Sequence, residues 1–331
     1  MANVLVTGGA GYVGSVCSAE LVRLGHAVTV VDNLSAGFRN AVPKEAQFVQ
    51  LDIGDRSALE PVVGSSKFDV VFHFAAKATI PESVSNPGVF FQHNVASAIT
   101  MLEVLRAAQI TKFVLSSTAA VYGVPESVPI DEDSPKKPVN SYGETKIILE
   151  QVLEWYARAY GWSVMAFRYF NAAGAMDGLG ERHEPETHII PLLLAAARGE
   201  RESFTIFGTD YATPDGTCLR DYVHVLDIAQ AHIAAFAKLN QPGMRAYNIG
   251  TGQSYSVREI CLAAEQATGL SIPTRIGERR SGDPPVLCAS PRRIREELGW
   301  EPRHSSLPEI VGSAWRWKEK QLSFRVRAST S

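Results

Sequence analysis

A glycine-spaced turn constrains this chain more than any other feature. Thr7-Gly8-Gly9-Ala10-Gly11-Tyr12-Val13-Gly14 follows the apolar run Val4-Leu5-Val6 directly and opens a segment of helical period. Gly8 permits a tight strand-to-helix turn, Gly11 lets backbone approach a pyrophosphate, and Gly14 lets helix and strand pack closely. The unpaired amides of the helix start then face the phosphates. Alone, such a triplet is a weak signal that an ordinary turn would explain. Its setting makes it informative: a second apolar run, Ala27–Asp32, ends on a carboxylate eighteen residues after Gly14. A carboxylate there can bind both ribose hydroxyls of a nicotinamide dinucleotide and repel a 2′-phosphate. NAD is the expected cofactor, with Arg39 near enough in sequence to leave an opening for NADP.

The rest of the first half repeats the theme. Phe48–Leu51, Val70–Phe74, Phe113–Ser117 and Val164–Tyr169 read as buried strands, being short and largely β-branched or aromatic. Val13–Leu24, Ser57–Val63, Pro87–Ala108 and Tyr142–Tyr160 read as helices between them. The alternation predicts an α/β fold, a doubly wound parallel sheet of Rossmann type. After Asn171 glycine and proline become frequent and the elements shorten, with helices expected at Leu192–Arg198, Val225–Lys238 and Val257–Thr268. Residues 1–170, joined by about 222–250, are read as the cofactor-binding domain. Residues 171–221 and 251–331 are read as a smaller mixed α/β domain for substrate.

Charge and composition exclude some functions. A net charge of −3 gives no basic footprint for nucleic acid, so any phosphate must be met by local arginines and backbone amides. Cys17, Cys218, Cys261 and Cys288 have no zinc-ligand spacing and read as free thiols of a reducing compartment. No metal is called for. The first apolar run is too short for a signal peptide or a membrane span, and a soluble, cytoplasmic protein is expected.

The chemistry is expected at the end of the fifth strand, Ser116-Ser117-Thr118-Ala119-Ala120, and at the start of the following helix, Ser141-Tyr142-Gly143-Glu144-Thr145-Lys146. Tyr142 and Lys146 lie four apart and share a helical face. A phenol ordinarily has a pKa near 10. An adjacent ammonium and a positive nicotinamide ring would favour the phenolate and make Tyr142 a usable base. Thr118 could donate or relay a hydrogen bond to the substrate oxygen. Tyr-x-x-x-Lys is common on amphipathic helices; its weight comes from the hydroxyl cluster at a strand's carboxyl end, where ligands bind in such sheets.

These motifs resemble the extended short-chain dehydrogenase/reductase family over nearly the whole chain. Three further stretches narrow the likeness to its UDP-glucose 4-epimerase branch: Asp32-Asn33-Leu34-Ser35, Pro185-Glu186-Thr187-His188-Ile189-Ile190-Pro191, and Phe207-Gly208-Thr209-Asp210-Tyr211 through Asp215 to Val225. The resemblance implies that Tyr142 takes the proton of a sugar 4-hydroxyl while C4 passes hydride to NAD. The 4-keto sugar then turns about its diphosphate link, and hydride returns to the other face. Sugar 4,6-dehydratases of the family carry an acidic residue after the catalytic threonine; here Ala119-Ala120 supply none.

The same resemblance places Gly8, Gly11, Tyr12, Val13 and Gly14 at the pyrophosphate. Asp32, Asn33, Leu34, Ser35, Ala36 and Gly37 fall at the adenosine ribose, and Asp52 and Ile53 at the adenine. Phe74, Ala75, Ala76, Lys77, Ala78, Asn94 and Ser116 would line the cofactor, with Tyr169 and Phe170 near the nicotinamide. For substrate it implies Asn171, Arg220 and Arg280 at the UDP phosphates and Asp283 on a ribose hydroxyl. Ile206, Phe207 and Tyr222 would bracket the uracil, with His188 and Ile189 also in contact.

Two departures stand out. Family members often carry a lysine where this chain has Ala78, preceded by Lys77, which leaves open whether Lys77 meets the cofactor. At the position gating the sugar pocket, often tyrosine or a small residue, stands Leu287, or Cys288 if the register slips by one. This implies UDP-glucose and UDP-galactose as substrates with limited tolerance of N-acetyl sugars. Rival readings are a 4-epimerase of UDP-xylose/arabinose, UDP-uronate or UDP-GlcNAc/GalNAc, and a non-catalytic NAD-binding regulator. The family's usual state implies a homodimer, with the Pro87–Ala108 and Tyr142–Tyr160 helices as candidates for the two-fold contact.

Overall fold

Seven of the strands form one parallel sheet, and its inner strands are buried on both faces. In β1 (Asn3–Thr7), Val4 and Val6 pack into one hydrophobic core while Leu5 packs into the other. In β2 (Ala27–Asp32), Val30 and Val31 divide the same way. Period-2 alternation with both faces covered gives the continuous apolar runs seen in the sequence. The computed structural model describes residues 1–280 and 282–329, and the side chains of all these except 322–329. Ser281, inside the Arg280–Asp283 stretch, lies outside the described residues.

The strands continue as β3 (Gln47–Gln50), β4 (Val70–His73), β5 (Lys112–Thr118), β6 (Ser163–Tyr169), β7 (Asn171–Ala173), β8 (Phe204–Phe207) and β9 (Leu219–His224). After them come β10 (Gly243–Ile249), β11 (Ser254–Ser256), β12 (Thr274–Gly277) and β13 (Val286–Leu287). The main sheet has the order β10-β6-β5-β4-β1-β2-β3. Its direction of winding reverses between β1 and β4, which opens a crevice at their carboxyl ends. The helices Tyr12–Arg23 and Val225–Phe236 cover one face, and Arg56–Gly64, Ser97–Ala107 and Ser141–Tyr160 the other.

The expected Pro87–Ala108 helix is present as one helical run with a π turn inside it. A short helix, Ile80–Ser85, precedes it; Pro87–Phe91, the π-helical Gln92–Ala96 and Ser97–Ala107 then follow one another without a gap. π segments are frequent at functional sites because they re-aim side chains.

The second lobe gathers around β9. Its first half pairs antiparallel with β11 and parallel with β13, and its second half pairs parallel with β7. β8 and β12 make a separate parallel pair. A third core lies here, formed by Ile190, Leu193, Leu194, Ile260, Ile310 and Val311 among others, with helices Ile189–Ala197, Val257–Thr268 and Leu307–Ser329. Among the described residues, no helix is long and apolar enough to cross a membrane.

Three histidines are sealed in this fold. Burial pushes His73 down to about 3, with Lys146 acting the same way, and pushes His224 down to about 4 against the pull of Asp227. Burial likewise holds His232 at about 4 against its bond to the Ile228 carbonyl. Their folded pKa values lie below the unfolded value, so below about pH 6.5 the unfolded chain binds protons that the folded chain refuses. Stability is therefore full above pH 6.5 and falls as pH drops toward 4. Together the three should cost on the order of 3 kcal/mol between pH 6.5 and 5.5. Urea unfolding midpoints at the two pH values measure this; equal midpoints would show that the histidines are not kept neutral.

Candidate active site

The glycine turn owes its shape to close approach. Gly8 has φ +75°, and a Cβ there would lie 2.3 Å from the Ala75 amide nitrogen; one at Gly14 would lie 2.2 Å from the Gly8 carbonyl oxygen. The Tyr12–Arg23 helix starts from Gly11 with no side-chain cap and no acidic residue in its first turn. Its first amides are thus left for another acceptor. Asp32 at the end of β2 is 8% exposed, and its carboxylate accepts from the Ala10 and Leu34 amides at 3.0 and 2.8 Å. Burial still raises its pKa above the ordinary value. Each oxygen retains a lone pair for a further donor.

A cleft of about 700 Å³ runs along this edge, lined by Gly8, Gly11, Asp32–Gly37 except Leu34, Leu51–Ile53, Phe74–Lys77, and also His93 and Ser97. That size and shape suit a cofactor. His93 and Ser97 were not anticipated; they reach the cleft from the π segment and the turn after it. Asn33 donates to Asp52 at 2.8 Å, tying the ends of β2 and β3 together. Lys77 pairs with Glu82 at 3.2 Å. Asn94 is buried, accepting from the Lys77 amide at 2.8 Å and donating to the Lys77 carbonyl and Thr145 hydroxyl. It holds the wall of the cleft rather than standing in it, and Ala78 is likewise not among the lining residues. Arg39 stacks on the Phe48 ring at 4.5 Å.

The hydroxyl cluster of β5 and the Ser141–Tyr160 helix meet next to this cleft through a glycine. A Cβ at Gly143 would lie 2.6 Å from the Ala120 carbonyl oxygen, so only glycine lets the helix seat against the turn after β5. Asn140 caps the helix by accepting from the Gly143 amide at 2.8 Å. The Thr118 hydroxyl accepts from the Ala120 amide at 3.1 Å and neighbours the Tyr142 phenol, whose pKa it holds down. Lys146 is 2% exposed and donates to the Ser116 carbonyl at 2.8 Å, its nitrogen 5.9 Å from the Tyr142 ring.

The electrostatics differ from the expectation for Tyr142. Burial pushes the phenol up to about 12, opposed by Thr118, and burial pulls Lys146 down to about 8, opposed by Glu150. The lysine is turned to a carbonyl rather than to the phenol, so the protein alone keeps Tyr142 protonated at neutral pH.

Beneath the pair lies a network that sequence reasoning missed. Arg168 on β6 is 3% exposed and makes two bonds to the Glu150 carboxylate, at 3.0 and 2.7 Å. It also donates to the Tyr122 hydroxyl at 2.9 Å and the Glu132 carbonyl at 3.0 Å. Ser117 donates to Glu150 at 2.6 Å, and Tyr122 to Asn248 at 2.7 Å. β5, β6, β10 and the helix carrying Tyr142 are thus fastened together directly behind the reactive side chains.

The expected nicotinamide neighbours separate. Tyr169 points into the main core with its hydroxyl 2.6 Å from His232. Phe170 packs with Leu287 against Ala119, Val121, Tyr122, Ile130 and Ile147. Leu287 is half-buried and sits opposite Arg220 in the β13–β9 register, whereas Cys288 is buried. Leu287 is thus the one of the two that borders the turn after β5.

Of the expected substrate residues, Arg220 and Asp283 form an ion pair. Arg280 lies over the exposed Phe207 ring, 4.2 Å from its centroid. Asn171 donates to the Asp221 carbonyl at 2.8 Å. Ile206 and Tyr222 face the third core instead, because strand alternation sends Phe207 outward and Ile206 in. His188 precedes the Ile189–Ala197 helix with its Nδ1 2.8 Å from Glu181 and 2.9 Å from Glu186. Burial disfavours charge on both Glu181 and His188, yet their mutual contacts prevail. They hold Glu181 well below the usual carboxylate range and His188 up at about 10.

Comparison with known proteins agrees with this arrangement. A UDP-glucose 4-epimerase of Corynebacterium glutamicum is 46% identical over 313 residues, 95% of this chain and 94% of the relative. One from Lacticaseibacillus casei is 46% identical over 320 residues, 96% and 97% of the two chains. The crystal structure of UDP-glucose 4-epimerase from Brucella ovis in complex with NAD superposes with a TM-score of 0.92 at 43% identity, covering 96% of this chain and 98% of that one. The NAD dependent epimerase/dehydratase family model matches residues 4–250. By sequence and by fold, the chain belongs to the NAD dependent epimerase/dehydratase family.

Proposed function

We propose that this enzyme interconverts UDP-glucose and UDP-galactose by inverting C4 through a 4-keto intermediate, with NAD bound throughout. The observation that carries the reading is the Thr118–Tyr142 pair, with buried Lys146 behind it, at the carboxyl edge of a sheet whose glycine turn and Asp32 fit a dinucleotide. NAD, when bound, supplies the acceptor for the C4 hydride and its return. Tyr142 takes the proton of the 4-hydroxyl and later gives it back, while Thr118 orients that oxygen. Lys146, held by Ser116, brings positive charge close to the phenol.

We assign the main sheet and its helices, residues 1–170 with about 222–250, to the cofactor, and residues 171–221 and 251–331 to the UDP-sugar. Arg220, Arg280 and Asn171 are proposed for the diphosphate, arginine being suited to bidentate pairing. In this reading Arg220 exchanges Asp283 for phosphate, freeing Asp283 for a ribose hydroxyl. Phe207 offers its face to the uracil. His188, through the nitrogen turned away from the two carboxylates, and Ile189 complete the set. Leu287 borders the sugar pocket and disfavours the added bulk of an N-acetyl group. Purified protein with NAD should convert UDP-galactose to UDP-glucose without added reductant, and a panel of UDP-sugars should rank these two first by kcat/KM. No turnover of either at saturating NAD would refute the reading.

We further propose a homodimer in the cytoplasm. Trp155 is 66% exposed, and Tyr160 and Ile99 are also exposed on the neighbouring Ser141–Tyr160 and Ser97–Ala107 helices. These helices are joined by the Tyr156–Glu103 hydrogen bond and by Arg106 over the Tyr160 ring. Apolar side chains of this size gathered on paired helices favour a second copy. The four free thiols suit a reducing compartment. Gel filtration should give a dimer for the native chain and a monomer for Trp155→Glu; a native monomer defeats the proposal.

A further inference from the structure

Between Ala173 and Ile189 the chain has no helix or strand, only an isolated bridge between Met176 and Leu179. Yet this stretch gathers four metal-binding side chains at one point. The ligand atoms of Glu181, His183, Glu186 and His188 all lie within 4.8 Å of one another. Both imidazoles turn Nδ1 to the same Glu181 oxygen, at 2.9 Å from His183 and 2.8 Å from His188, and Glu186 approaches His188 Nδ1 at 2.9 Å.

We propose that these four side chains bind one zinc ion, which clips the loop that leads into the Ile189–Ala197 helix. Donors about 2.0–2.2 Å from a tetrahedral ion stand roughly 3.3–3.6 Å apart. The paired atoms here stand slightly closer, at 2.8–2.9 Å, and all four donors lie within 4.8 Å of one another, so small side-chain movements close the site. Two carboxylates and two neutral imidazoles balance a divalent charge. Two nitrogen and two oxygen donors suit zinc, whereas calcium and magnesium take six or more ligands, nearly all oxygen. Four protein ligands leave no open position, the mark of a structural rather than catalytic ion.

The surroundings hold the ligands in place. Glu186 accepts from the Thr187 and His188 amides at 2.7 and 2.8 Å, and the Glu181 carbonyl accepts from the Trp317 indole at 3.5 Å. Arg182, between two ligands in sequence, lies 4.1 Å from the Phe38 ring centroid and 5.6 Å from that of Trp317, and donates to Asn40. Supporting contacts of this kind are what orient a metal's ligands. The ion would fix His188 and Ile189, and so couple the substrate lobe to the loop after β2.

The test uses the full chain, free of affinity tag and loaded with NAD. Elemental analysis should find about one zinc per chain, and metal-stripped protein should take up zinc in a single step with a higher melting temperature. Four-coordinate cobalt should replace it with visible d–d absorption. His183→Ala and Glu181→Gln should weaken zinc binding at least tenfold while circular dichroism and NAD binding stay native. Absence of stoichiometric zinc uptake by the wild type overturns the proposal. So does undiminished uptake in His183→Ala, which would leave a hydrogen-bonded cluster only.

Discussion

Tyr142→Phe lowers kcat for UDP-galactose conversion by about 10²- to 10⁴-fold, the range for losing a positioned general base, while NAD binding and the melting temperature stay near those of the parent. The phenol is placed by Gly143, which seats its helix on Ala120 beside Thr118. Removing one oxygen therefore deletes the proton acceptor without opening a void. The pH profile carries the second half of this prediction. Burial holds the phenol at about 12 in the ligand-free protein, so activity at neutral pH requires a lower value in the ternary complex. Positive charge from the oxidised nicotinamide and from Lys146 is the expected cause. The acid limb of kcat against pH should then move to higher pH in Lys146→Met. A Tyr142→Phe enzyme that keeps a tenth of parental turnover would assign the proton transfer elsewhere.

Arg168→Met should be the most destabilising single change near the site. The guanidinium is 3% exposed and satisfies Glu150, the Tyr122 hydroxyl and the Glu132 carbonyl at once. Removing it strands a carboxylate in the interior, and breaking one side of a buried pair typically costs about 3–5 kcal/mol. Arg168→Met/Glu150→Leu should recover much of that loss, since no unpaired charge is left. Urea denaturation of the parent, the single and the double variant measures both values. Equal midpoints for the parent and the single variant would mean that water replaces the arginine.

The contrast between these two residues shows what was legible in the sequence. Tyr142 announced itself because its partners Lys146 and the β5 hydroxyls are adjacent in the chain or lie at a strand end that periodicity locates. Arg168 sat inside an apolar run and read as one more strand residue; only tertiary structure puts Glu150, Tyr122 and Asn248 around it. The large sheet was legible for a related reason. Strands buried on both faces read as unbroken β-branched runs, and β2 was bounded to the residue. The second lobe was not, since β7, β11 and β13 have two or three residues, too few to show a period. The Pro87–Ala108 helix was legible from its period, but its π turn was not, because one wider turn leaves the apolar pattern nearly unchanged. Ile206 and Tyr222 were placed at the uracil by likeness alone, and strand alternation turns both into a core. For Glu181, His183, Glu186 and His188, the clue was two histidines among three glutamates in one short loop.

The position of β10 has a consequence for how the chain is made. Gly243–Ile249 pairs with β6 along its full length and becomes the outer strand there, but it is synthesised only after β7, β8 and β9. Until then the nascent protein carries β6 as an unprotected margin, with the backbone groups of Ser163–Tyr169 free to pair with another chain. Translation is vectorial, so the sheet behind Tyr142 cannot be completed until Gly243–Ile249 has emerged. A ribosome stalled near Asn171 would therefore release six of the seven strands with β6 uncovered, rather than a small working cofactor domain.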